Sequence, residues 1–102
     1  MKMSKIQQRL NDKLLLVLAD VEQEARDTLP GFTGLSHTVA FDCFPGSLLV
    51  NCAIDNQDNL THAQSQKTEK QLQKVLHKKL FRKGILLKQP EQNLKLVLVS
   101  EQ

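Results

Sequence analysis

Lys67, Lys70, Lys74, Lys78 and Arg82 recur every three or four residues in a chain of 102. On an α-helix that spacing puts one cation on each turn of a single face. Such a row suits regularly spaced phosphates, because each cation can displace a counterion condensed on a nucleic acid. The surrounding stretch, KTEKQLQKVLHKKLFRKGILLK, runs from Lys67 to Lys88. It holds eight of the fourteen Lys and Arg residues and one acid, Glu69. Its charge is therefore +7, the remainder carries −4, and the sum is the net +3. Screening limits the reach of charge to roughly 8–10 Å, so this local field matters more to a partner than the total does.

With Leu72 set at 0°, the apolar residues Val75, Leu72, Leu76 and Leu80 span roughly 300° through 0° to 80°. The five cations fall between roughly 160° and 280°. A solvated lysine face that keeps a domain soluble is the plainer reading. Such a face usually mixes signs, and Glu–Lys pairs four residues apart would support the helix. One Glu accompanies this whole row. An acidic protein surface is the other partner it suits. One lies in the same chain, where ADVEQEARD carries Asp20, Glu22, Glu24 and Asp27 against Arg26. Those acids sit badly at a helix C-terminus and would be relieved by basic residues of this or another subunit. Phe81 projects at about 180°, inside the basic arc. Packing under the following loop is its expected role, and stacking beside cations is the alternative.

Other chemistry is not encoded. His37, His62 and His77 lack a metal-binding spacing, and His37 on an inward strand face reads as a core residue. Ser36 and His37 are strand neighbours that point to opposite faces, so they cannot pair as nucleophile and base. No HExxH motif and no glycine-rich phosphate loop occurs. Cys43 and Cys52 form neither a metal nor a redox motif and read as small apolar strand residues. No enzyme, cofactor or metal site is expected.

The elements that must position the basic row are legible in outline. From about Lys5 to Leu29, Ile6, Leu10, Leu14, Val17, Leu18, Val21 and Ala25 mark a helix. Ser4 and Gln7 suit a capping box, and Pro30-Gly31 ends the helix. Leu16 points away from the core stripe and either covers a second surface or lies exposed at a dimer contact. A β-hairpin follows. Leu35, His37, Val39, Phe41 and Cys43 share one face, Pro45-Gly46 makes a type II turn, and Leu48, Val50, Cys52 and Ile54 return. That turn sets Val39 opposite Cys52 and leaves the two cysteines too far apart for a disulfide.

A second helix runs from an N-cap at Asp58 or Asn59 to about Lys83. Thr68, Leu72, Val75, Leu76 and Leu80 form its core stripe, Gly84 its C-cap, and Ile85 the apolar residue just beyond. Leu60 and Ala63 fall on a different side, so the first turns bend or form a separate piece. The tail reads as a strand at Ile85 to Lys88, a turn at Gln89 to Asn93, and a strand from Leu94 to Ser100. The expected fold is a single α+β domain, a two-layer α/β sandwich of order α-β-β-α-β-β, with a mostly antiparallel sheet and two helices on one face.

Two segments resemble the family of the bacterial nucleoid protein Fis. VLADVEQ (Val17 to Gln23) resembles part of its dimer-core helix, and LHKKLFRKG (Leu76 to Gly84) resembles the end of its DNA-recognition helix. Together they cover sixteen residues. The resemblance implies DNA contacts for Lys78, Lys79 and Arg82. That family's all-helical fold does not carry over, because a β-hairpin separates the two matches. The α-β-β-α core is similar to type II KH domains, without their GxxG loop.

The leading expectation is a small non-enzymatic nucleic-acid-binding domain, with a homodimer as a further possibility. A protein-interaction module is the alternative. The run LLLVLA after the basic N-terminus is six residues long. It is far short of the roughly 20 a membrane span needs, and no small-residue cleavage site follows. A cytoplasmic protein with no membrane partner is expected.

Overall fold

The computed structural model describes residues 5–99. The order is α1 (Lys5–Thr28), β1 (Phe32–Thr38), a 3-10 turn (Phe41–Cys43), β2 (Leu49–Ile54), α2 (Gln57–Ser65), α3 (Thr68–Arg82), α4 (Pro90–Asn93) and β3 (Leu94–Leu98). The class is α+β, as the periodicities require. The order α-β-β-α-β-β is corrected to α-β-β-α-α-α-β. Ser4 of the expected capping box and Ser100 of the last strand lie outside the described residues.

The first helix buries Leu14, Val17, Leu18, Val21 and Ala25. Leu10 is half-buried, and Ile6 is exposed. The helix is about 36 Å long at 1.5 Å per residue, so its first turns outrun the core. Gly31 ends the exit turn at φ +80°. A Cβ there would lie 2.2 Å from Asp55 Oδ1 and 2.5 Å from Asn59 Nδ2, which only glycine avoids.

The three strands are ordered β1-β2-β3. β1 pairs antiparallel with β2, with Leu35 opposite Cys52 and His37 opposite Val50. The expected pairing of Val39 with Cys52 is wrong, because the strands are not joined by a two-residue turn. Residues 39–48 form a wide connection instead. Ser47 Oγ accepts from the Ala40 amide at 2.9 Å and donates to the Ala40 carbonyl at 2.7 Å. The Asn93 side chain donates to the carbonyls of Leu48 at 2.7 Å and Pro45 at 3.2 Å. Side-chain hydrogen bonds of this kind compete with a tight turn, and Leu48 is buried by the result. The Phe44–Pro45 peptide is cis, and Gly46 does not adopt the positive φ expected of it. Cys43 and Cys52 are both free, one exposed and one buried.

β3 pairs with β2 in parallel, Cys52 opposite Leu96, so the sheet is mixed rather than mostly antiparallel. A crossover through helices delivers a parallel strand, whereas a hairpin would deliver an antiparallel one. Ile85 to Lys88 is not a strand. It keeps strand-like alternation, with Ile85 and Leu87 buried and Leu86 and Lys88 exposed. It does not extend the sheet beside β3, because α3 covers the outer edge of that strand. Glu69 Oε2 accepts the Leu96 amide at 2.9 Å, and Gln73 Nε2 donates to the Leu94 carbonyl at 2.9 Å. Pro90 then opens the one-turn α4, where its missing N–H costs nothing.

The second helical region is two helices, so the first turns form the separate piece that the placement of Leu60 and Ala63 allowed. Asn56, not Asp58 or Asn59, caps α2, its Oδ1 accepting the Asn59 amide at 2.9 Å. The break falls at Gln66 and Lys67, with Lys67 left-handed at φ 60°. It lets two stripes that a straight helix would splay both reach the core: Leu60 and Ala63 before it, Leu72, Leu76 and Leu80 after it. Helix C-terminal capping follows expectation. Gly84 takes φ +84°, and Ile85 donates its amide to the Leu80 carbonyl at 2.9 Å. One contiguous core joins these helix residues to Val50, Cys52, Ile54, Leu94 and Leu96 of the sheet.

Candidate nucleic-acid interface

The core side of α3 is set by Leu72, Leu76 and Leu80, each fully buried. That orientation forces Lys70, Lys74, Lys78 and Arg82 outward, and all four are exposed. Steps of four residues advance about 40° around a helix, so the row winds diagonally across the outer surface. Lys67 is exposed but stands in the break before the helix. It adjoins the row rather than belonging to it.

Two residues that would blunt this field are directed elsewhere. Glu69, the one acid of the stretch, is partly buried and spends its carboxylate on the Leu96 amide. Lys79 leans toward α1, its Nζ 3.8 Å from Asp20 Oδ2. Among the described residues the other ion pair is Arg26 with Glu22 at 3.1 Å. Lys70, Lys74, Lys78 and Arg82 therefore have no ion-pair partner among the described residues. The acidic end of α1 meets the second helical region through Asp20, while Glu22 pairs locally and Asp27 accepts from Gln23 at 3.0 Å.

Phe81 is not packed under the loop after α3, contrary to the structural role expected of it. It is 62% exposed and lies in the basic arc. Ile85, just beyond Gly84, is the apolar residue buried at this helix end. Phe81 sits instead beside His77, with ring centroids 6.4 Å apart and planes tilted by 30°. His77 Nδ1 is buried and lacks a hydrogen-bond partner, alone among the side-chain polar atoms of the described residues.

His77 also walls a cavity of about 420 Å³, lined by Lys70, Gln73, Lys74, Pro90 and Glu91 besides itself. Gln73 is a fixed wall, because its amide nitrogen is committed to the carbonyls of Leu94 and Glu91. Sequence reasoning missed this cavity. It exists because α4 brings Pro90 and Glu91 against α3, and Pro90 as a helix starter was the available signal. A larger cavity of about 640 Å³ lies elsewhere, between the β1–β2 connection and the segment after α3, with Cys43, Phe44, Pro45, Leu86 and Leu87 in its lining.

On α1, Leu16 is 61% exposed, with Leu15 and Ile6 also exposed. Among the described residues no group of three or more His, Cys, Asp or Glu side chains could hold a metal ion, and no helix is long and apolar enough to cross a membrane. No protein-family model matches the sequence, and neither a curated protein nor a solved structure matches it significantly.

Proposed function

We propose that this chain is a small non-enzymatic nucleic-acid-binding domain of the cytoplasm that contacts phosphates through Lys70, Lys74, Lys78 and Arg82. Lys67 and Lys79 flank the contact, Lys79 at the expense of its pair with Asp20. The observation that carries the reading is the unneutralised row. Like charges on successive turns destabilise a helix, and the one acid within the row's own stretch is turned to the sheet edge. A polyanion supplies the missing countercharge and gains entropy from released counterions. Type II KH domains, to which the α-β-β-α order is similar, clamp the nucleic-acid backbone with a GxxG loop. Here Ser65-Gln66-Lys67 joins the two helices without glycine, and the clamp falls to the lysine row.

The test is binding to mixed-sequence duplex and single-stranded DNA and RNA across a salt series. Neutralising four phosphates gives a log–log slope of roughly −3.6 on duplex DNA and about −2.8 on single strands. Reversing Lys70, Lys74 and Lys78 to Glu flattens it. A folded protein that binds none of these at low salt overturns the reading. The outcome then favours a protein-interaction or dimerisation module, for which the Lys79–Asp20 contact is the supporting observation. In that module α3 of one copy meets an acidic surface, and exposed Leu16 lies at the dimer contact. Sedimentation of the wild type and Leu16→Glu decides that second reading.

A further inference from the structure

We infer that the basic face of α3 is built for an unpaired strand, one nucleobase stacking on Phe81 and a neighbouring base entering the cavity between α3 and α4. This rests on the phosphate-binding reading above and deepens it. Phe81 contributes nothing to the core, which Leu72, Leu76 and Leu80 already fill from the same helix. Its ring is exposed on the same arc of α3 as Lys74, Lys78 and Arg82, where a flat apolar partner would cover it. In a duplex the base faces are stacked on one another and unavailable. In a single strand they are free, and an aromatic ring beside cations is the usual platform for them.

The shape of the row agrees. From Lys70 to Arg82 the cations turn through about 120° around the helix. A flexible strand can follow that curve, whereas a stiff duplex backbone touches only part of it. The cavity has the chemistry of a base site rather than a phosphate site. Its walls are the Lys70 and Lys74 stems, the His77 ring and Pro90, and its acid is Glu91. A carboxylate repels a phosphate but accepts a hydrogen bond from an exocyclic amino group of a base. His77 joins the two positions, lining the cavity on one side and facing Phe81 on the other.

The experiment compares Phe81→Ala, Phe81→Trp and the wild type by fluorescence anisotropy on a short single strand, the same strand with abasic sites, and its duplex. Loss of one stacked base lowers single-strand affinity about 5- to 150-fold. Phe81→Ala should show that loss with the salt slope and duplex affinity unchanged, and Phe81→Trp should restore it. The abasic strand should bind the wild type more weakly than Phe81→Ala binds the intact strand, because it loses the cavity base as well as the stacked one, and Phe81→Ala should cost nothing further on it. Phe81 is exposed, so the variants keep the fold, which circular dichroism verifies. Equal binding of intact and abasic strands, or an equal loss on duplex, overturns the inference. If the triple lysine reversal abolishes binding while Phe81→Ala has no effect, base stacking falls and phosphate contact stands. If the wild type binds no nucleic acid, both fall together.

Discussion

Leu96 donates its backbone amide to Glu69 Oε2 at 2.9 Å. One contact thereby does two things. It closes the open edge of β3, assisted one helical turn later by Gln73 on the Leu94 carbonyl. It also removes the only negative charge from the most basic stretch of the chain.

Replacing Glu69 by Ala leaves a partly buried amide unpaired, at a cost of about 1–3 kcal/mol. Glu69→Gln keeps an acceptor oxygen and should lose less than half of that. Urea denaturation of the two variants checks the order. Glu69→Ala should also associate more readily, because an uncovered strand edge invites pairing with another chain. Equal stability of the two variants would show that the carboxylate is not holding the edge.

Gly31 and Gly84 both have positive φ, yet alanine should be tolerated differently at the two positions. At Gly84 no atom lies within 4 Å of an added Cβ, so the cost is backbone strain alone, about 1 kcal/mol. At Gly31 the same strain adds to a clash with Asp55 and Asn59. Their own hydrogen bond, Asn59 Nδ2 to Asp55 Oδ1 at 2.9 Å, would have to break or shift. Gly31→Ala should therefore be the more destabilising by thermal denaturation. If the two variants melt alike, the loop after β2 yields more easily than its packing indicates.

The two thiols should behave as different chemical species. Cys43 is exposed and should react with a maleimide in the folded protein, whereas Cys52 should react only on unfolding. The Cys52 thiol is pushed up to about 12 from an ordinary 9.0, first by burial and second by the Glu69 carboxylate. Above pH 9 the unfolded chain releases this proton while the folded chain retains it. Stability is then lost as pH rises from 9 toward 12, with a limiting slope of about 1.4 kcal/mol per pH unit. Below pH 9 the contribution is fully present. Cys52→Ala should flatten the alkaline branch in urea titrations. A slope unchanged by that substitution would assign the effect to other groups.

Local features were legible in the sequence wherever local physics decides them. The 3.6-residue stripe located α1 and its C-terminal end to within a residue, because Leu14, Val17, Leu18, Val21 and Ala25 must share a face to be buried. Gly84 and Ile85 announced the end of α3, because few other residues tolerate the capping geometry. Asn93 shows the limit. It lies 45 residues from Leu48, whose carbonyl it holds, and no pattern around either residue reveals the wide β1–β2 connection that this bond supports. The missing fourth strand is similar. Ile85 to Lys88 alternates as a strand should, but pairing beside β3 needs a free edge there, and α3 occupies it through Glu69 and Gln73.

The cation row illustrates the same division. Spacing alone determined that Lys70, Lys74, Lys78 and Arg82 oppose Leu72, Leu76 and Leu80, since a helix admits no other arrangement. Tertiary structure decided that Glu69 faces the sheet, that Lys79 reaches Asp20, and that Phe81 stands in solvent beside His77. Those outcomes depend on which elements pack against α3, and long-range packing leaves no periodic trace in the chain.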